Sequence, residues 1–425
     1  MNKLNRGMQF LENLQAKAYR DRDIALSCEG IADDMLEQHS PLYRAIKTQE
    51  EYRELGEALR GAMLDSLRQG KPSSMSRFED PAWYELMNGL CDEIEKSRGR
   101  LPFRIPPRPT LGTLPTRRIN AMALAPTDSN DFVVAFEPQV FNFLNSMSKI
   151  VVTAIPLANR RKGFTYFDAD HIEVAARNMH GKGLLELFVE VVISYLVEGK
   201  PESGWLIDEQ HEMLANELLL YSEIFVMGHE YGHIAAGHLS DASRQKNALQ
   251  NPDAQEVLYG IVQELEADNL GLGIMLDVAH RKMTEVFEEM SPRERVVDLQ
   301  TRHMSPRLWG ADFFFGCTEL LERSLAILWH GDESRRPVGT HPPSWLRRSV
   351  VRETLSLGRS QGATVNLRQI LERILARIGK DTVHDNPAMK MATTIESILE
   401  RLWKGAAPLL LLCHERGLRP ANDWR

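Results

Sequence analysis

Cysteine is scarce in this chain. Of 425 residues only four are cysteines (Cys28, Cys91, Cys317 and Cys413), and no two form a CxxC pair. That spacing argues against both a disulfide framework and a thiolate zinc site, and it fits a reducing compartment. Long apolar runs are also missing. The longest, Leu184 to Val197, is interrupted by Glu186 and Glu190 and falls short of the roughly 20 residues that a membrane span needs. The N-terminus lacks the apolar core of a secretory signal. These absences predict a cytoplasmic protein without membrane helices. No charge dominates either: 51 Lys and Arg face 59 Asp and Glu, a net −8 with the signs well mixed. An extended basic surface for nucleic acid is therefore not expected. Walker A and GxSxG motifs are absent, and Gly271 and Gly273 do not make GxGxxG. P-loop, α/β-hydrolase and dinucleotide-binding readings lose their support.

What remains is ordinary globular usage, 43% hydrophobic and 26% charged, in a chain long enough to bury a large core. Residues 1–100 are polar and helical in pattern. Residues 101–117, with five prolines, read as an extended connector, because proline at that density forbids regular helix. The segments RINAMAL and DFVVAF then read as two short strands around a turn. Helical patterns follow over Glu137 to Ser148, Gly183 to Val197, Asp208 to Leu239, Ala254 to His280 and Leu308 to His330. Two amphipathic helices, LRQILERILARIG and TTIESILERLWKG, fill the tail. The expected class is α+β, mainly helical with a small sheet. Residues 118–360 form the central domain, with an apparent insertion at about 156–207, and 361–425 form a C-terminal helical region.

The informative segment is LANELLLYSEIFVMGHEYGHIAAGHL, which contains His229-Glu230-Tyr231-Gly232-His233, the HExxH pattern. Residues i and i+4 share one helix face, so both imidazoles can reach one ion. Glu230 is rotated from that pair, yet close enough to touch a metal-bound water. The preceding stretch is apolar, so this helix is expected to be buried, and its polar residues need compensation that a cation would supply. A catalytic zinc takes three protein ligands and an open position. A third histidine in the HExxHxxGxxH register is ruled out, because Ala236 and Leu239 stand where glycine and histidine would be. His238 sits one residue early and reads as a polar residue at the helix end. A better third ligand lies in GIVQELEADNLGLGIML. Glu264 and Asp268 are i and i+4 on a second helix with apolar flanks, and like charges so placed call for a cation. Glu264 completes a His2Glu set, and Asp268 can orient an imidazole.

With GHEYGHIAAGH, then ELEAD, then THPPSWLR, the chain resembles the gluzincin metallopeptidases that include the HtpX heat-shock protease, the CaaX prenyl endopeptidase and the Oma-type mitochondrial protease. The resemblance spans about residues 118–352 in four patches. It implies a zincin-like core, one zinc ion per chain bound by His229, His233 and Glu264, and Glu230 as general base. It also implies that His341 or Arg347 supplies a further donor to the attacked carbonyl, and that Asn120 and Ala121 lie on a strand that pairs with an extended substrate. Two departures stand out: no membrane helix is visible, and Arg348 occupies a position that is usually apolar in the family. The expected activity is hydrolysis of peptide bonds in a protein or peptide substrate. The competing reading is a catalytically silent scaffold whose zinc is structural and whose role is to bind or regulate a partner.

Overall fold

A computed structural model describes residues 6–68, 74–115, 121–126, 131–155, 157–160, 164–167, 183–201, 205–239, 252–292, 295, 306–336, 341–361 and 390–421. Among them are twelve α-helices and five short strands, so the protein is mainly helical with a small sheet. The second amphipathic tail segment lies in the last helix, whereas the first, residues 367–379, lies outside the described residues.

The N-terminal region contributes α1 (Arg6–Asp21), α2 (Cys28–His39), α3 (Pro41–Ile46), α4 (Arg53–Arg68) and α5 (Pro81–Glu95). Helix α5 starts where its sequence says it should. Pro81 fills the first turn, where its missing N–H is harmless, and the Asp80 carboxylate accepts from Ala82 N at 2.8 Å. Three strands form one sheet in the order β1 (Thr110–Thr113), β3 (Val133–Phe136), β2 (Ala121–Leu124). β1 runs parallel to β3 and β2 antiparallel to it, with Ala121 opposite Phe136. The proline-rich segment is thus more than a connector, since its end pairs as β1. Glu79, which is buried, ties that strand to the N-terminal helices. Its carboxylate accepts from Thr113 N at 2.7 Å, from Thr113 Oγ1 at 2.6 Å and from Gln15 Nε2 of α1 at 2.9 Å.

After the sheet come α6 (Pro138–Ala154), a hairpin of β4 (Leu157–Arg160) and β5 (Phe164–Phe167), and α7 (Leu184–Ile193), which runs into a π-helical turn. The remaining helices are α8 (Glu209–Ala235), α9 (Pro252–Glu289), α10 (Gly310–His330), α11 (Ser344–Gln361) and α12 (Lys390–Glu415). Helix α8 is the centre of the molecule. Every residue from Tyr221 to Gly232 is buried, which marks a helix covered on all sides. It packs against α6, α9 and α10 and runs beside β2. All four cysteines are free thiols. Among the described residues no helix is long and apolar enough to cross a membrane.

Candidate metal centre

Helices α8 and α9 touch backbone to backbone because small residues meet at their crossing. A Cβ on Gly271 would lie 2.7 Å from the backbone nitrogen of His229, and one on Gly232 would lie 2.8 Å from the Ala267 carbonyl oxygen. Only glycine fits there. That close approach brings the polar residues beside those glycines face to face across the helix pair.

His229 and His233 from α8 converge on Glu264 from α9. The two Nε2 atoms are 3.0 Å apart, and the Glu264 carboxylate oxygens lie 3.4 Å from His229 Nε2 and 3.3 Å from His233 Nε2. The three ligand atoms form a cluster able to hold a metal ion. A tetrahedral zinc with bonds of about 2.0–2.2 Å separates its ligand atoms by roughly 3.3 Å, so the spacing fits before any rearrangement. Glu264 Oε2 is buried and makes no hydrogen bond, a state that costs free energy unless a cation completes it. Charge agrees with geometry. Burial works against protonation of His229, but the neighbouring Asp268 and Glu264 carboxylates outweigh that and raise its pKa to about 9. Burial likewise opposes ionisation of Glu264, yet the two histidines hold it well below the usual carboxylate range. The imidazole of His229 and the Glu264 carboxylate thus stabilise each other's charge.

Asp268 lies one turn along α9, only 1% exposed, with Oδ1 2.9 Å from His229 Nδ1. It holds the proton-bearing edge of that imidazole and leaves Nε2 turned to the cluster. Arg347, in the first turn of α11, clamps Asp268 in turn: Nε donates to Oδ2 at 2.8 Å and Nη2 to Oδ1 at 2.6 Å. Its guanidinium rests over the Phe315 ring at 4.7 Å. Of the two residues expected as further donors, Arg347 is therefore committed to Asp268. His341 keeps a half-exposed side chain with Nε2 3.5 Å from Glu264 Oε2. Glu230 is buried beside the cluster, Oε1 4.0 Å from His229 Nε2, and faces the backbone N–H of Ala123 on β2. Burial pushes its carboxyl above the ordinary range while His229 and His233 pull it down. Ala121 opens β2 and lines the cleft in front of the cluster. Asn120 lies outside the described residues.

Two residues not expected to matter also sit here. The helical pattern runs on to Leu239, but α8 stops at Ala235 because Gly237 takes a left-handed φ of +73°. His238 N then bonds His233 O at 3.0 Å and Gly237 N bonds Ile234 O at 3.1 Å, a Schellman turn. The turn folds His238 back so that its Nδ1 lies 2.9 Å from His233 Nδ1 and its Nε2 lies 3.3 Å from Glu266 Oε2. His238 is thus at the helix end, as its position suggests, and against His233 as well. A glycine directly before it was the available signal. Arg348, the departure from an apolar position, is buried and paired with Asp312 of α10, Nε to Oδ1 at 3.1 Å and Nη2 to Oδ2 at 3.0 Å. Arg352 joins the same carboxylate at 3.1 Å through Nη2. Asp312 thereby pins α11, and with it Arg347, onto α10.

In comparisons with known proteins, no family model, no curated protein and no solved structure matches this chain.

Proposed function

We propose that the protein is a zinc-dependent endopeptidase of the gluzincin type, with a zincin-like core formed by α8, α9 and the small sheet. The observation that carries this reading is the convergence of His229, His233 and Glu264 on one point with the Glu230 carboxylate beside it. A purely structural metal needs no general base beside it, and Glu230 is not one of the three ligands. When bound, zinc supplies a Lewis acid and a water of lowered pKa. Glu230, shielded from solvent with a raised pKa, would accept the proton of the attacking water on a carboxylate oxygen and deliver it to the leaving amine. His341, which lines the cleft with Nε2 3.5 Å from Glu264 Oε2, is the side chain assigned to donate to the carbonyl oxygen as charge develops there. The sheet order leaves the outer edge of β2 open among the described residues, and an extended peptide can add to such an edge through its main chain. Asp268 and Arg347 keep the His229 ring in register.

The reading is tested by zinc content and peptide cleavage in wild type and Glu230→Gln. Wild type should hold one zinc per chain and cleave peptides, and a chelator should abolish cleavage. Glu230→Gln should keep its zinc and lose a factor of about 10²–10⁴ in rate. A zinc-loaded wild type that cleaves nothing across broad peptide libraries would instead favour a partner-binding scaffold with a structural ion.

A further inference from the structure

The cleft beside His229 and Glu230 has a volume of about 150 Å³, and a cavity of about that size accepts a benzene-sized guest. One side chain fits. Its walls are mostly apolar, with Phe136 and Val140 on one side, Phe225 from α8, and Phe314 from α10. One face of α10 then carries Thr318 and Glu322 into the same cleft, at i+4 and i+8 from Phe314. Glu322 has a local partner: its Oε1 accepts from Ser344 Oγ at 2.6 Å and from Ser344 N at 3.3 Å, at the start of α11. Oε2 has no hydrogen bond and no ion pair among the described residues. Arg347 is committed to Asp268, and Arg336 lies 3.5 Å from Glu319.

We propose that Glu322 makes this cleft a subsite for a lysine or arginine side chain next to the scissile bond. The inference rests on the peptidase reading and names the substrate class of that same site. The apolar walls take the methylene stem, and the head group donates to Glu322 Oε2 in a charge-assisted hydrogen bond. A norleucine side chain of the same shape fills the sleeve but leaves a half-buried carboxylate without its counter-charge, which is what gives such a site its discrimination. A glutamate is repelled by Glu322 and by Glu230 alike. Burial pushes the Glu322 carboxyl above its ordinary range, against the opposing pull of the Ser344 hydrogen bonds and of Arg336.

The experiment uses the zinc-loaded full chain and matched peptides that carry Lys, Arg, Nle or Glu at each position flanking the cleaved bond. In wild type, kcat/KM for the Lys or Arg peptide should exceed that for Nle about tenfold or more, with Glu lowest. In Glu322→Gln, which keeps an acceptor for Ser344, that ratio should fall to about one. In parallel, binding of the Lys and Nle peptides is measured on Glu230→Gln and on Glu230→Gln with Glu322→Gln, so that recognition is read without turnover. The Lys preference should appear in the first and vanish in the second. Cleavage with no Lys or Arg preference in wild type overturns the subsite and leaves the peptidase standing, and it needs no variant to be seen. A Glu322-dependent binding preference without cleavage by wild type overturns the peptidase and leaves the subsite. Neither binding nor cleavage overturns both.

Discussion

Asp268 bonds His229 on one side and Arg347 on the other through the same Oδ1, at 2.9 Å and 2.6 Å. One buried carboxylate therefore joins the His229–His233 face of α8 to the first turn of α11. Burial would raise the pKa of Asp268, and the Arg347 guanidinium overrides that and holds it below the usual range. The arrangement is stable only as a set, because each charge is taken out of water on the strength of the others.

Breaking that set has a defined signature. Arg347→Ala leaves Asp268 charged and buried, and Asp268→Ala leaves Arg347 so. Each should cost about 3–5 kcal/mol in urea unfolding. Each should also lower zinc affinity about 10–100-fold by releasing the His229 ring. The double variant should lose clearly less than the sum, since the second change removes a charge already stranded by the first. Additive losses would mean that the two residues act independently.

The helix crossing gives a paired prediction. Gly271→Ala drives a methyl into the backbone of α8 at His229 and should destabilise by about 1–3 kcal/mol. Zinc affinity should fall as the ligands on the two helices are pushed apart. Gly273→Ala, two residues on, meets only Phe103 Cε1 at an ordinary 3.7 Å. It should be neutral or stabilising by up to about 1 kcal/mol, the usual gain of alanine over glycine within a helix. Equal behaviour of the two variants in thermal unfolding and zinc titration would contradict a requirement for glycine at the crossing.

Glu79 should make stability depend on pH. Burial raises its carboxyl to about 7, against the opposing pull of the hydrogen bonds from Thr113 and Gln15. The folded state therefore binds the proton more tightly than the unfolded chain, whose Glu titrates near 4.5. The Glu79 contribution is full below pH 4.5, shrinks as pH rises, and is gone above about 7, a change of roughly 3 kcal/mol. Glu79→Gln cannot titrate. The difference in unfolding free energy between wild type and Glu79→Gln should fall across that window, and a constant difference would remove Glu79 as the source.

Local patterns carried much of this in the sequence. The spacing of His229, His233, Glu264 and Asp268 is a one-turn rule on each of two helices, and one-turn rules are legible without tertiary structure. How those helices meet is not. Gly228, Gly232 and Gly271 matter because they face one another across about forty residues of chain, and separately each reads as a weak helix residue. The same holds for Arg348, whose burial makes sense only once Asp312, 36 residues earlier, is seen beside it. Strand β1 was hidden because Thr110–Thr113 sits among prolines, and its pairing with β3 is a long-range fact. The end of α8 was misplaced by four residues, although Gly237 marked it, because the apolar and small residues after His233 continue the helical pattern.

That helix end leads to the last prediction. If His233 offers the lone pair of Nε2 to the metal, its proton must sit on Nδ1, and the nearest acceptor is His238 Nδ1 at 2.9 Å. His238 then carries its own proton on Nε2, which points at Glu266 Oε2, 3.3 Å away. The hydrogen-bond pairing thus assigns both tautomers consistently. His238 holds the His233 ring as Asp268 holds that of His229. His238→Ala should lower zinc affinity about 10–100-fold and leave the melting temperature of the metal-free protein near wild type, since His238 is not part of the apolar core. His238→Asn, whose carbonyl can accept from His233 Nδ1, should recover part of the loss. Glu266→Gln should have a smaller effect, because Glu266 is more than half exposed and water can replace it. Competition titrations against a chelator of known strength resolve these differences. Wild-type zinc affinity in His238→Ala would show that the Schellman turn merely ends the helix, and that His233 needs no partner to face the metal.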